Sequence, residues 1–194
     1  MQARAHRALA VSLPGFAGRP HADVNLDTHI EAVVQLIRGE DLRDAILLGH
    51  SYGGMVVSGV VDRIPERLST AVYCDAYVPL DGQSCFELTS DAYRRLFLEG
   101  AAGDGFTVLP PGRSDPRTAP QPLATFLQRI RLRDPAPALR RCYVYLSGWS
   151  GSPFAAVYER LGKSPGWETV ELPVGHDVVV RAFDEILEIL LRFA

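Results

Sequence analysis

Five consecutive residues, Gly49-His50-Ser51-Tyr52-Gly53, could present a serine hydroxyl as a nucleophile. They close the apolar run Ala45-Ile46-Leu47-Leu48 and open a second, Met55-Val56-Val57. Strand, tight turn and helix is the setting that a G-x-S-x-G nucleophile elbow requires. So sharp a turn puts strained backbone angles on the serine. A side chain two residues before or after it is expected to collide with the strand or the helix, which accounts for glycine at both places. Ser51 would then stand above a sheet with its hydroxyl exposed. The bland alternative is a glycine-rich loop carrying an idle serine.

A nucleophilic serine needs a base. Of the five histidines (His6, His21, His29, His50 and His176), His176 has the right setting. It follows Glu168-Thr169-Val170-Glu171-Leu172, which alternates as a strand does, and Pro173 and Gly175 break that strand before it. His176 therefore falls on a loop at a strand's carboxyl end, where ligands bind in open α/β sheets. A surface histidine would look the same in sequence. His50 is expected to pack beside the elbow or line the pocket. His6, His21 and His29 show no metal-ligand spacing and no cysteine partners, so neither metal nor cofactor is expected.

The elements that must position these groups alternate along the chain. Ala8 to Leu13 reads as a strand ended by Pro14-Gly15. Leu26 starts a helix with apolar Ile30, Val33, Val34, Leu36 and Ile37 at helical spacing. Asp44 to Leu48 is the strand before the elbow and Gly54 to Arg63 the helix after it. Ser69 to Cys74 and Cys142 to Leu146 are further strands. Helices are expected near Phe154 to Leu161 and from Asp184 to Leu191. Such alternation means a mostly parallel sheet with helices on both faces, in a single domain spanning 1–194. Residues 80–138 break the rhythm with Pro110-Pro111-Gly112, Pro116, Pro120 and Pro122, between helical signals at Ala92 to Leu98 and Leu123 to Arg129. An insertion of that length reads as a cap over the active site, with Phe86, Leu88, Tyr93, Leu96, Phe97, Phe106 and Phe126 as candidate apolar lining.

Composition narrows the class. The 194 residues suffice for one sizeable core, and 47% hydrophobic with 22% charged residues is ordinary globular usage. A net charge of −3 without a basic stripe argues against nucleic acid and anionic membranes as partners. No apolar stretch reaches the length of a membrane span, and residues 1–7 lack the apolar core of a secretory signal. Cys74, Cys85 and Cys142 are an odd number without metal-like spacing. They read as buried reduced thiols of a cytoplasmic protein.

Three stretches carry a family resemblance: Leu47-Leu48-Gly49-His50-Ser51-Tyr52-Gly53-Gly54-Met55, Pro65-Glu66-Arg67 with Ala71-Val72-Tyr73-Cys74-Asp75-Ala76-Tyr77-Val78-Pro79, and Leu172-Pro173-Val174-Gly175-His176-Asp177. The chain resembles the bacterial α/β-hydrolases related to plant methylesterases and hydroxynitrile lyases. The resemblance implies an α/β-hydrolase fold. It also implies hydrolysis of a small-molecule carboxylic ester through an acyl-enzyme, with Ser51 as nucleophile, His176 as general base and the Tyr52 backbone N–H as an oxyanion donor.

Two departures from the family stand out. The amino terminus looks shortened: relatives place a strand and a His-Gly loop ahead of the segment resembling Ala8 to Leu13. That loop supplies the second oxyanion donor. The strand would lie between Ala8 to Leu13 and Asp44 to Leu48, so its absence favours pairing with a second chain, a homo-oligomer included. The second departure concerns the triad acid. Ser147-Gly148-Trp149-Ser150-Gly151-Ser152-Pro153, the loop where many relatives keep it, has no carboxylate. Asp75 preserves the order Ser, Asp, His and is the leading candidate, with Asp81 and Asp177 behind it. Two other functions stay open. A hydroxynitrile lyase would carry lysine after the histidine, where this chain has Asp177. A fold relative without a working oxyanion hole would bind a ligand and not turn it over.

Overall fold

The computed structural model describes residues 6–16, 23–109, 119–133 and 137–194. His21, Pro110-Pro111-Gly112 and Pro116 lie outside them.

Helix α1 (Leu26–Gly39) opens on a capping box: the Asn25 side chain accepts from the Thr28 N–H (3.0 Å), and the Thr28 hydroxyl oxygen accepts from the Asn25 N–H (3.3 Å). Its buried residues Leu26, Ile30, Val33, Val34 and Ile37 recur at helical spacing. Strand β1 (Ala45–Ser51) leads through the elbow into α2 (Gly53–Arg63). A 3-10 turn (Pro65–Arg67) precedes β2 (Leu68–Ala76). Next come the short helix α3 (Cys85–Leu88), α4 (Asp91–Gly100), a two-stranded antiparallel ribbon of β3 (Thr107–Val108) and β4 (Gln121–Pro122), and α5 (Leu123–Leu127). Then follow β5 (Arg140–Leu146), α6 (Ala155–Gly162), β6 (Trp167–Leu172), α7 (Val178–Arg181) and α8 (Phe183–Leu191).

The main sheet has the order β1-β2-β5-β6 and is parallel throughout. Strand alternation divides its core into two layers. Ala71, Tyr73 and Tyr143 face α1, α2 and α6. Val72, Cys74, Cys142, Val144 and Leu146 face Val178, Ala182, Ile189 and Phe193 at the carboxyl-terminal end. Helices thus cover both faces, as the strand–helix alternation requires. The three cysteines are buried and unbridged. No helix among the described residues is long and apolar enough to cross a membrane.

One expected strand is not formed. Residues 8–13 belong to no strand, and Leu9 and Val11 are 41% and 39% exposed. A strand exists through the hydrogen bonds of a neighbour, and among the described residues β1 ends the sheet with no neighbour on that side. The Pro14-Gly15 break is present as a turn, with Gly15 at φ +85° and the Phe16 N–H donating to the Leu13 carbonyl (3.3 Å).

The two ends of the segment between β2 and β5 are tied together. The Gly82 N–H donates to the Ile130 carbonyl, and the Ile130 N–H to the Gln83 carbonyl, both at 2.9 Å. Asp81 accepts from the Leu132 N–H at 2.8 Å in the same seam. The segment therefore returns to its point of departure.

Strand β2 runs two residues past its expected end because a buried hydroxyl holds it. Tyr143 Oη donates to the Ala76 carbonyl (2.9 Å) and accepts from the Ala76 N–H (3.2 Å). Tyr143→Phe leaves both backbone groups without a partner in the core. It is expected to cost about 1–3 kcal/mol of unfolding free energy, read as a lower urea midpoint at unchanged slope.

Candidate active site

The carboxyl ends of the parallel strands bring the sequence candidates together. Ser51, last in β1, pairs with Ala76 of β2, one residue past Asp75. The Tyr77 N–H donates to the Ser51 carbonyl (3.2 Å), which locks that register. Ser51 and Asp75 both lie in the left-handed region, at φ +55° and +42°. Each such non-glycine residue costs roughly 1–3 kcal/mol, held in place by its surroundings.

Room for the elbow comes from glycine, but not where the pentapeptide suggests. A Cβ on Gly49 would sit 2.6 Å from the Gly53 carbonyl oxygen and from Val57 Cγ2. A Cβ on Gly53 would meet nothing within 4 Å, so the expected collision two residues after the serine is absent. The contact falls one residue later, where a Cβ on Gly54 would come within 2.1 Å of the Tyr77 carbonyl oxygen. The first turn of α2 has swung clear of the strand by Gly53, and Gly54 faces the chain leaving β2.

Asp75 is fully buried and accepts from two partners. His176 Nδ1 lies 2.6 Å from its Oδ2, and the Leu146 N–H reaches its Oδ1 at 3.3 Å. An ionised carboxylate only accepts, so Nδ1 carries the proton and Nε2 is left as the basic nitrogen. Asp81 is occupied in the seam described above, and the Asp177 side chain makes no capping bond to α7. Among the described residues, no hydrogen bond joins the Ser51 hydroxyl to the His176 ring. Such contacts are often long before substrate binds.

Aromatic rings surround the His176 imidazole. His50 lies 4.4 Å away between ring centroids, Trp149 4.5 Å and Phe154 5.7 Å. Trp149 comes from the loop that lacks a carboxylate. That loop is joined to the histidine loop by the Ser147 N–H to the Leu172 carbonyl and the Gly148 N–H to the Val174 carbonyl, both 2.9 Å. Trp149 also meets Tyr93 of α4 edge-on at 5.8 Å. From Tyr93 the rings continue through Phe97 and Phe126 to Tyr52 beside the serine. Of the expected apolar lining, Phe97 and Phe126 are buried in this belt, while Phe106 is 39% exposed.

Two further histidines support the site from below. His29 is fully buried, with Nε2 2.9 Å from the Pro14 carbonyl and Nδ1 2.9 Å from Tyr52 Oη. A carbonyl only accepts, so Nε2 holds the proton and Tyr52 donates to Nδ1. Burial lowers the pKa of His29. His50 is pushed down to about 4 by burial first, with the neighbouring His176 acting in the same direction. Its Nε2 is buried without a hydrogen-bond partner among the described residues. Sequence reasoning missed Trp149 and His29. The position of His29 three residues after Leu26, on the apolar stripe of α1, was the available signal for burial.

Comparison with known proteins bears on the family and the fold. Residues 1–189 match the family described as "Alpha/beta hydrolase family". A carbendazim hydrolyzing esterase from Nocardioides sp. (strain SG-4G) is 35% identical over 94% of this chain and 86% of its own length. Methyl jasmonate esterase 1 of Vitis vinifera is 28% identical over 63% of this chain and 49% of its own, so the chain spans about half of that plant relative. Among solved structures, an extracellular α/β-hydrolase from a Paenibacillus species has TM-score 0.77 at 23% identity, over 91% of this chain and 82% of that one. A polyneuridine aldehyde esterase variant has TM-score 0.68 at 17% identity, over 96% and 87%.

Two outcomes test the site's construction. Gly54→Ala is expected to cost about 1–3 kcal/mol through overpacking, while Gly53→Ala stays within about 0.5 kcal/mol; thermal melts of the pair separate them. The depressed pKa of His50 also predicts a loss of stability in acid. Its unfolded value is near 6.5 and its folded value about 4, so its contribution is complete above pH 6.5 and is lost as pH falls toward 4. The loss is at most roughly 3 kcal/mol, and His29 acts in the same direction. Urea midpoints between pH 7.5 and 4.5 should fall less steeply in His50→Leu than in the wild type. The chain belongs to the alpha/beta hydrolase family, and within it the chain is a carboxylic ester hydrolase.

Proposed function

We propose that Ser51, His176 and Asp75 act as nucleophile, general base and orienting acid in hydrolysis of a small-molecule carboxylic ester. The 2.6 Å contact between Asp75 and His176 carries this reading. It holds the imidazole in the tautomer whose Nε2 can take a proton. Ser51 Oγ attacks the ester carbonyl carbon as its proton passes to Nε2. The carbonyl oxygen becomes an anion, which the Tyr52 N–H at the uncapped start of α2 is positioned to receive. Collapse expels the alcohol, which takes the proton from Nε2, and leaves an acyl group on Ser51. Water then attacks that group, giving one proton to Nε2. Ser51 recovers the proton as the acid departs.

The segment spanning 80–138 would act as the cap, with its Tyr93, Phe97 and Phe126 walling the pocket between Tyr52 and Trp149. Carbendazim, which the Nocardioides relative hydrolyses by name, is the first specific substrate to try. The three buried, unbridged thiols accord with a reducing compartment, and we propose a cytoplasmic location on that ground.

Ser51→Ala should reduce hydrolysis of p-nitrophenyl butyrate by about 10⁴-fold or more, and Asp75→Asn by up to about 10⁴-fold. A fluorophosphonate probe should label the wild type at Ser51 only. Undiminished turnover in Ser51→Ala rejects the nucleophile. Failure to label under conditions that label another serine esterase rejects an activated Ser51.

A further inference from the structure

A second cleft opens between α2 and α6, away from the strand ends that carry Ser51 and His176. It holds about 270 Å³. Its floor is polar and buried: Ser58 Oγ lies 3.2 Å from Tyr73 Oη, and the two residues are 7% and 2% exposed. Its walls are apolar, supplied by Val61, Val78 and Leu161 together with the Trp167 ring, whose centroid lies 5.3 Å from that of Tyr73.

The charge at the rim does not balance. Arg133, Arg141 and Arg160 line the cleft with one carboxylate, Asp62. Arg133 takes that carboxylate, at 3.3 Å. Arg141 Nη2 donates to the Pro137 carbonyl (2.5 Å) and Arg160 Nη2 to the Val78 carbonyl (2.7 Å). Neither has a carboxylate within ion-pair distance among the described residues. Among the described residues, each spends one N–H on a backbone oxygen and keeps the rest of its planar fork unspent. Arg141 also lies over the Trp167 ring, 5.9 Å from its centroid. Burial lowers the pKa of Arg160, the mark of a cation withdrawn from water without a counter-charge.

We propose that this cleft binds a small organic carboxylate, its charged end between Arg141 and Arg160 and its apolar body against Trp167 and Tyr73. A guanidinium fork matches a carboxylate in two parallel hydrogen bonds, and a monoanion with an aromatic body satisfies both the rim and the walls. The site is independent of Ser51, so it stands or falls apart from the catalytic reading.

The chain's two tryptophans separate the two pockets: Trp167 lines this cleft and Trp149 packs on His176. In ¹⁵N-labelled protein titrated with sodium benzoate at constant ionic strength, the Trp167 indole N–H signal should move and saturate in the millimolar range. Benzamide, neutral and of equal shape, should bind about tenfold more weakly or worse, and Arg141→Gln and Arg160→Gln should each weaken benzoate by about tenfold. Movement of the Trp149 signal alone, movement of neither, or unchanged affinity in both arginine variants overturns the proposal. Should a glutamine variant lose its far-UV circular dichroism, Arg141→Lys and Arg160→Lys decide. A several-fold weakening upholds the forked contact and unchanged affinity rejects it.

Discussion

A carboxylate removed entirely from water must be matched by donors, and the upper rim of this sheet is organised around that demand. Asp75 has no exposure and is answered by the His176 ring and by the last N–H of β5. Each answer comes from a different strand end. The pairing of β1 with β2 brings Ser51 alongside, the pairing of β2 with β5 brings Leu146, and the loop after β6 brings the imidazole. Tyr143, clamped on Ala76, keeps β2 extended far enough for Asp75 to sit at this meeting point. The strained backbone at Ser51 and Asp75 is tolerated because neighbouring strands fix both ends.

The aromatic belt gives the second organising principle. The carboxylate that meets His176 comes from β2, and the loop after β5 carries none. Here it contributes Trp149, which packs against the face of the histidine and passes the contact on to Tyr93 in the inserted segment. The same insertion reaches Tyr52, next to Ser51, through Phe126, and reaches Trp149, packed on His176, through Tyr93. A shift of α4 or α5 would therefore be felt at both ends of the site.

Much of this was legible in sequence, for physical reasons. The elbow announces itself because few residue patterns allow a strand to turn directly into a helix, and His176 because proline and glycine break the strand before it. Asp75 could be ranked first among three carboxylates by chain order, but its contact with His176 is a matter of geometry. Periodicity located the core strands within a few residues. It failed at residues 8–13, since alternation reports a side-chain pattern and not the neighbour that a strand needs. The steric role of Gly53 was misplaced by one residue, because the elbow's crowding depends on how β2's exit passes over α2. Trp149 and the tautomer of His29 required geometry outright.

The thiols have a chemical consequence of their own. Cys74 and Cys142 sit on one face of the sheet, toward the carboxyl-terminal helices, and Cys85 sits in the inserted segment, each shielded. Burial pushes Cys74 up to about 12 and Cys142 up to about 11, and raises Cys85 as well. Maleimides and iodoacetamide attack thiolate, so the native fold is nearly inert toward them. Alkylation then becomes a clock for opening, with the three positions timing two different events. Cys85 reports the inserted segment peeling away, and Cys74 and Cys142 report the parting of the sheet from its carboxyl-terminal helices.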